Sequence, residues 1–200
     1  MAKAVLWDFG NVIVRWDPRT LYRQIFQEPA ACDRFLSHVC TMEWHTAHDR
    51  GVTFAENRKG LLERFPEHEA EILAWETRWW DMFSGAIPET EAAIEELHGR
   101  GVPQYGLSNI SHETLEGTLA LSPAFARLQG VVASGVEGLM KPEPAIFELV
   151  CERFGHAPAE ILFVDDSARN VEAAAALGFD VHHFTSPAQL GPALEARGLL

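Results

Sequence analysis

Two hundred residues, 47% hydrophobic and 22% charged, suffice for one sizeable core, or a core with a smaller insertion, and lie far from the composition of chains that stay unfolded. A formal net charge of −13 speaks against a nucleic-acid partner, and no apolar run approaches the about eighteen residues that a membrane span needs. The three cysteines, Cys32, Cys40 and Cys151, lack C-x-x-C spacing, so neither disulfides nor a zinc site is expected. No basic segment followed by an apolar stretch opens the chain, and the expectation is a cytoplasmic protein, monomeric or weakly dimeric.

The first apolar run, Ala4 to Trp7, is short and continuous, as suits a strand buried on both faces, and it ends on Asp8 within "VLWDFGNVIV". Residues 17–85 then show no convincing strand but several amphipathic stretches. One begins at "DPRTLYRQIF", with Asp17 as N-cap and Pro18 in the first helical position. A helical insertion directly after the first strand is the simplest reading. Within it Trp75 and Trp79 lie one helical turn apart, with Trp80 adjacent, a stripe expected to pack. In "EWHTAHDRG", Asp49 and Arg50 precede Gly51 and either end a helix or face a site, where His45, Asp49 and Arg50 would select the substrate.

From residue 86 the pattern alternates. "PETEAAIEELHGRG" is a helix with proline near its start and glycine after its end; Tyr105 to Leu107 and Val131 to Ala133 are strands; "PEPAIFELVCERFG" repeats the helical plan. Strand Ile161 to Val164, helix "SARNVEAAAALG" and strand Val181 to Phe184 follow. His182 and His183 lack carboxylates or cysteines at ligand spacing and are read as structural. Helix alternating with buried strand is the signature of a doubly wound α/β domain, formed by residues 1–16 and 86–200 around the insertion.

In open α/β sheets ligands bind beyond the carboxyl ends of the strands. Asp8 follows the first strand, Ser108 and Asn109 the second, Lys141 of "GLMKPEP" comes shortly after the third, and Asp165 and Asp166 of "FVDDS" follow the fourth. Any one of these is an ordinary turn residue; together they describe a site. Crowded carboxylates raise one another's pKa values unless a cation lies among them, and an all-oxygen set favours a hard ion, Mg²⁺. A carboxylate can then attack phosphorus while lysine and hydroxyl neutralise the transferring oxygens. "DFG" at this position is not the kinase motif, because no nucleotide lobe or catalytic loop precedes it.

"WDFGNVIV", "GLSN", "KPEP" and "FVDDSARN" occur in the order of the four motifs of the haloacid dehalogenase superfamily, which the chain resembles over nearly its whole length. The "GNV" after the first aspartate is similar to that of small bacterial sugar-phosphate phosphatases, the α-D-glucose 1-phosphate phosphatase type among them. The resemblance implies a Rossmann-like core with a helical cap over residues 17–85, and hydrolysis of a small phosphorylated metabolite, a sugar phosphate by preference. Asp8 would be nucleophile and metal ligand, the Gly10 carbonyl a second ligand, and Asp166 a direct ligand, with Asp165 holding a ligating water or standing behind it. Ser108 and Asn109 would bind phosphate, and Lys141 would orient Asp8. Asn170, where some members carry an acid, would support the ligand shell or simply open a helix.

One position departs from the pattern. Most phosphatases of the superfamily carry a second aspartate two residues after the nucleophile as general acid and base, and here that residue is Gly10. A positioned acid–base group contributes about 10²–10⁴-fold. Either the substrate has a good leaving group, such as an anomeric phosphate, or the cap supplies the proton from His45, His48 or Asp49, or the protein only binds phosphorylated ligands as a regulatory module. A 2-haloacid dehalogenase is the enzymatic alternative, opposed by the Asp165–Asp166 pair, which would repel a carboxylate substrate.

Overall fold

A computed structural model describes residues 2–200. The chain runs through β1 (Ala4–Trp7), β2 (Val14–Trp16), α1 (Pro18–Ile25), α2 (Pro29–His38), α3 (Met42–Asp49), α4 (Phe54–Arg64), α5 (Glu69–Thr77) and β3 (Phe83–Ala86). It continues with α6 (Pro88–Gly99), β4 (Gln104–Ser108), α7 (Leu115–Leu119), β5 (Val131–Ala133), α8 (Ser134–Glu137), α9 (Pro144–Phe154), β6 (Ile161–Asp165), α10 (Ala168–Ala176), β7 (Asp180–His183) and α11 (Leu190–Glu195).

The continuous apolar runs form one parallel five-stranded sheet in the order β5-β4-β1-β6-β7. Their apolar character reflects burial on both faces. Val5, Trp7, Leu162 and Val164 pack toward Ile94 and Leu97 of α6 and Leu194 of α11, while Ala4, Leu6, Ile161 and Phe163 face Ile146, Phe147 and Val150 of α9. Strand order reverses around β1. Its carboxyl end is therefore the switch point where a doubly wound sheet opens a crevice.

Helices α1 to α5 bury a separate cluster that includes Leu21, Tyr22, Phe35, Leu61, Ile72 and Trp75. Asp17 caps α1 by accepting from the Arg19 amide, and Thr41 and Thr53 do the same for α3 and α4. Three strands depart from the sequence expectation: β2 and β3, which it lacked, and β7, whose bounds shift. Phe83–Ala86 lies in the stretch read as strandless, yet pairs antiparallel with Val14–Trp16 where the chain leaves and re-enters the core. "FSGA" has neither alternation nor β-branched residues and contains Gly85 at φ +105°, so only its partner makes it a strand. The last strand is Asp180–His183, one residue earlier than the apolar run, because its pairing with Leu162–Asp165 sets the register.

The helical segment is held against the sheet domain at specific points. Arg50 Nη2 lies 2.5 Å from Glu143 Oε1, the Phe54 amide donates to Glu113 Oε2 at 2.6 Å, and Gly51 approaches Gly135 closely. A Cβ on Gly51 would fall 2.9 Å from the Gly135 carbonyl oxygen, at φ +91°. Gly51→Ala should therefore lower stability by about 1–3 kcal/mol through backbone strain and steric conflict. Urea unfolding checks this; a midpoint within error of wild type would refute the close approach.

Candidate active site

The site is built where β1, β4 and β6 end. The Asp8 amide donates to the Val164 carbonyl at 2.9 Å, and the Phe9 amide donates back to Asp8 Oδ1 at 2.7 Å, which aims the carboxyl away from the sheet. Lys141 arrives from the segment after α8, and its ammonium is fully engaged: 2.8 Å from Asp8 Oδ1, 2.7 Å from Asp165 Oδ2 and 3.0 Å from the Leu107 carbonyl. The loop carrying it is held by Asn109, whose amide accepts from the Lys141 N–H at 2.8 Å and donates to its carbonyl at 2.9 Å. Asn109 lines the cavity, but the contacts it makes are to the lysine backbone.

The paired aspartates have different surroundings. Asp165 is fully buried and accepts from Lys141, the Ser167 amide and the side chain of Asn170. Asp166 is half-buried and faces the cavity, while its carbonyl accepts from His183 Nε2 at 3.0 Å. So Asn170 and His183 steady this pair, a job that the sequence could not separate from a helix turn or a surface histidine.

One carboxylate oxygen from each of Asp8, Asp165 and Asp166 lies within 4.8 Å of the others. Three carboxylates face one ammonium, so charge is balanced only by added protons or a cation. Burial pushes Asp8 up to about 7, Lys141 opposing and Asp165 and Asp166 reinforcing the rise. Burial and Asp165 also raise Asp166, against Asn11 and Lys141. Burial alone would lower Lys141, but Asp165 and Asp8 hold it above its ordinary value. An all-oxygen set of this kind fits a hard divalent ion, which Asp8 and Asp166 would hold from the cavity side, while Asp165 anchors the lysine.

A linkage follows. A carboxylate raised from 3.8 to about 7 is protonated in the metal-free fold at low pH and must lose that proton for a cation to bind. The rise in Tm on adding Mg²⁺ should be small near pH 5.5 and grow through pH 7 to a plateau near pH 8. Thermal melts with and without Mg²⁺ test this, and a pH-independent rise would contradict it.

The cavity above these groups measures about 260 Å³. Of the residues expected from sequence, Asp8, Gly10, His45, Asp49, Ser108, Asn109, Lys141 and Asp166 line it. Arg50, expected to face the substrate, is not among the lining residues: its guanidinium pairs with Glu143 and ties the helical segment to the core. The rest of the lining includes Val14, Trp16, Met42, Trp79 and Phe83, with Asn11, Ser111 and Thr118. Asn11 lies within the first motif and sits at φ +57°, a conformation asparagine tolerates; its place in that motif was the available signal. Ser111 and Thr118 carried none, because folding alone brings them there.

A Cβ on Gly10 would meet nothing within 4 Å. Crowding therefore does not explain the missing side chain. Seven buried side-chain polar atoms lack a hydrogen-bond partner among the described residues, and four belong to cavity residues: Trp16 Nε1, Asp49 Oδ1, Trp79 Nε1 and Thr118 Oγ1. Orphaned polar groups concentrated around one cavity call for partners that water or a ligand would supply.

Comparison with known proteins agrees with this geometry. Residues 2–178 match the model of the haloacid dehalogenase-like hydrolases. A sesquiterpene phosphatase of Aspergillus oryzae is 33% identical over 99% of this chain and 96% of its own. An (S)-2-haloacid dehalogenase of Burkholderia cepacia is 28% identical over 74% of this chain, which spans 61% of that relative's length. Among solved structures, a haloacid dehalogenase family enzyme of Bacteroides thetaiotaomicron, in complex with magnesium and inorganic phosphate, shares the fold with a TM-score of 0.70 at 22% identity, over 91% of this chain and 93% of that one. The chain belongs to the haloacid dehalogenase-like hydrolase family.

Proposed function

We propose that this protein is a magnesium-dependent phosphomonoester hydrolase that works through an aspartyl-phosphate on Asp8. The observation that carries the reading is the excess of carboxylate over ammonium beneath the cavity, with Asp8 and Asp166 directed into it and Lys141 held among them. When bound, Mg²⁺ would offset the negative charge of the phosphoryl oxygens. Asp8 is the nucleophile, aimed by its own Phe9 amide contact and by Lys141. Ser108 takes a phosphoryl oxygen, and Asn109 fixes the lysine loop. A 2-haloacid dehalogenase would have to draw a carboxylate substrate toward Asp166, so charge argues against it.

The walls favour a compact, largely apolar alcohol over the sugar expected from sequence. Val14, Trp16, Met42, Trp79 and Phe83 offer surface rather than a ring of hydroxyl partners, and about 260 Å³ lies just below the roughly 300–1,000 Å³ of drug-sized sites. Similarity to a sesquiterpene phosphatase supports both halves of the reading, ester hydrolysis and an apolar alcohol.

The experiment is a substrate panel of simple alkyl, short isoprenoid and hexose phosphates with 2-chloropropionate, each with and without Mg²⁺. Magnesium-dependent phosphate release with higher kcat/KM on apolar esters is expected. A preference for hexose phosphates would refute the apolar assignment, and metal-free halide release would establish the dehalogenase. No release from any compound leaves the noncatalytic module.

A further inference from the structure

Gly10 removes the usual acid, and three residues of α3 stand nearest in sequence to a replacement: His45, His48 and Asp49. Their hydrogen bonds distinguish them. The Asn57 Nδ2 atom lies 2.9 Å from the Trp44 carbonyl, which can only accept, so this atom is the amide nitrogen. The same nitrogen lies 3.0 Å from His48 Nε2, which therefore accepts. A neutral His48 then carries its proton on Nδ1, 3.2 Å from His45 Nδ1, and the proton of His45 is left on Nε2. His45 Nε2 lies 3.7 Å from Asp49 Oδ1, beyond hydrogen-bond length. Asn57, His48 and His45 thus form a chain of donors running one way, and it stops 3.7 Å short of Asp49, whose carboxyl lines the cavity above Asp8.

We propose that Asp49 is the general acid and base of this enzyme, placed by the helical cap where other family members use the residue at position 10. The inference rests on the phosphomonoesterase reading above. With Oδ1 on the side of His45 Nε2, the carboxyl proton resides on the other oxygen, free for the substrate. In the first step Asp8 attacks phosphorus, the ester P–O bond breaks, and the departing oxygen takes both the electron pair and the proton of Asp49. In the second, water attacks phosphorus, gives its proton to the Asp49 carboxylate, and the P–O bond to Asp8 breaks. Inorganic phosphate leaves, and both carboxyl groups return to their starting states.

The electrostatics agree. Burial raises Asp49 to about 7, Lys141 opposing, so the group exchanges its proton near neutral pH. Burial and the neighbouring His48 push His45 down to about 3, and burial pushes His48 down to about 4, which keeps both imidazoles neutral and unsuited to donate as imidazolium. His48 is, besides, fully buried and absent from the cavity lining.

The test compares two leaving groups in wild type and Asp49→Asn. 4-Nitrophenyl phosphate needs no proton for its leaving oxygen, and a simple alkyl phosphate does. The variant should keep its burst of 4-nitrophenolate, stall with phosphorylated enzyme because water is no longer deprotonated, and lose about 10²–10⁴-fold in phosphorylation by the alkyl ester. Equal losses in the two bursts, or no loss in either, would overturn the role of Asp49 while leaving the hydrolase intact. Wild-type failure to release phosphate from any ester would overturn the hydrolase reading and this one with it. Should the asparagine variant not fold, Asp49→Ser carries the same comparison.

Discussion

Asp8→Asn should abolish phosphate release, by on the order of 10⁵–10⁶-fold, because an amide of the same shape cannot form the aspartyl-phosphate. The same change should make the metal-free protein more stable at pH 8. Asp8 is a buried acid raised to about 7 from 3.8, so its favourable contribution is complete below about 3.8 and is lost as pH rises through about 7. Asparagine mimics the protonated form and does not suffer that loss. The stability gain over wild type should thus be absent near pH 4, grow between pH 4 and 7, and level off above. Paired measurements of turnover and of urea midpoints across that range test both parts. Retained turnover would remove Asp8 from the chemistry, and a gain that shrinks with rising pH would contradict the burial argument.

Lys141→Met should have the largest effect on the fold. Lys141 is 2% exposed, and its ammonium satisfies Asp8, Asp165 and the Leu107 carbonyl at once. Removing it leaves two buried carboxylates without their partner, a change that typically destabilises by about 3–5 kcal/mol, against a total of about 5–15 for a domain. Lowering the pH from 8 to 5 should recover part of the loss, because Asp8, which burial raises to about 7 even beside the lysine, can then take up a proton. Arginine should rescue poorly. Its planar fork does not reproduce three contacts converging on one nitrogen. Denaturant unfolding at the two pH values measures this; a loss below about 1 kcal/mol would mean that the ion pairs are not the anchor of the site.

These expectations draw on different layers of information. β1, β4, β5 and β6 were legible because a strand buried on both faces must be apolar throughout, and such runs are short and bounded by turn residues. Helices α6, α9 and α10 were legible from proline at the start or glycine at the end of an apolar stripe; Gly155, at φ +71°, closes α9 in the left-handed conformation that glycine adopts freely. Asp8, Ser108, Asn109, Asp165 and Asp166 were expected on one rim from strand ends and Lys141 from the segment after the third, since a parallel sheet brings all its carboxyl ends to one side.

What depends on contacts between distant segments was not legible. "FSGA" becomes β3 only because Val14–Trp16 lies beside it, and Arg50 pairs with a glutamate 93 positions away instead of facing the cavity. The sequence by itself determined the sheet, its order of chemistry-bearing ends and the vacancy at Gly10, because local apolar runs and turn residues encode these. Tertiary structure alone decided that Asn109 grips a lysine loop, that Asp165 turns inward and Asp166 outward, and that Asn57, His48 and His45 line up behind Asp49. A hydrogen bond has direction as well as reach, and direction exists only once the groups at both ends have been placed.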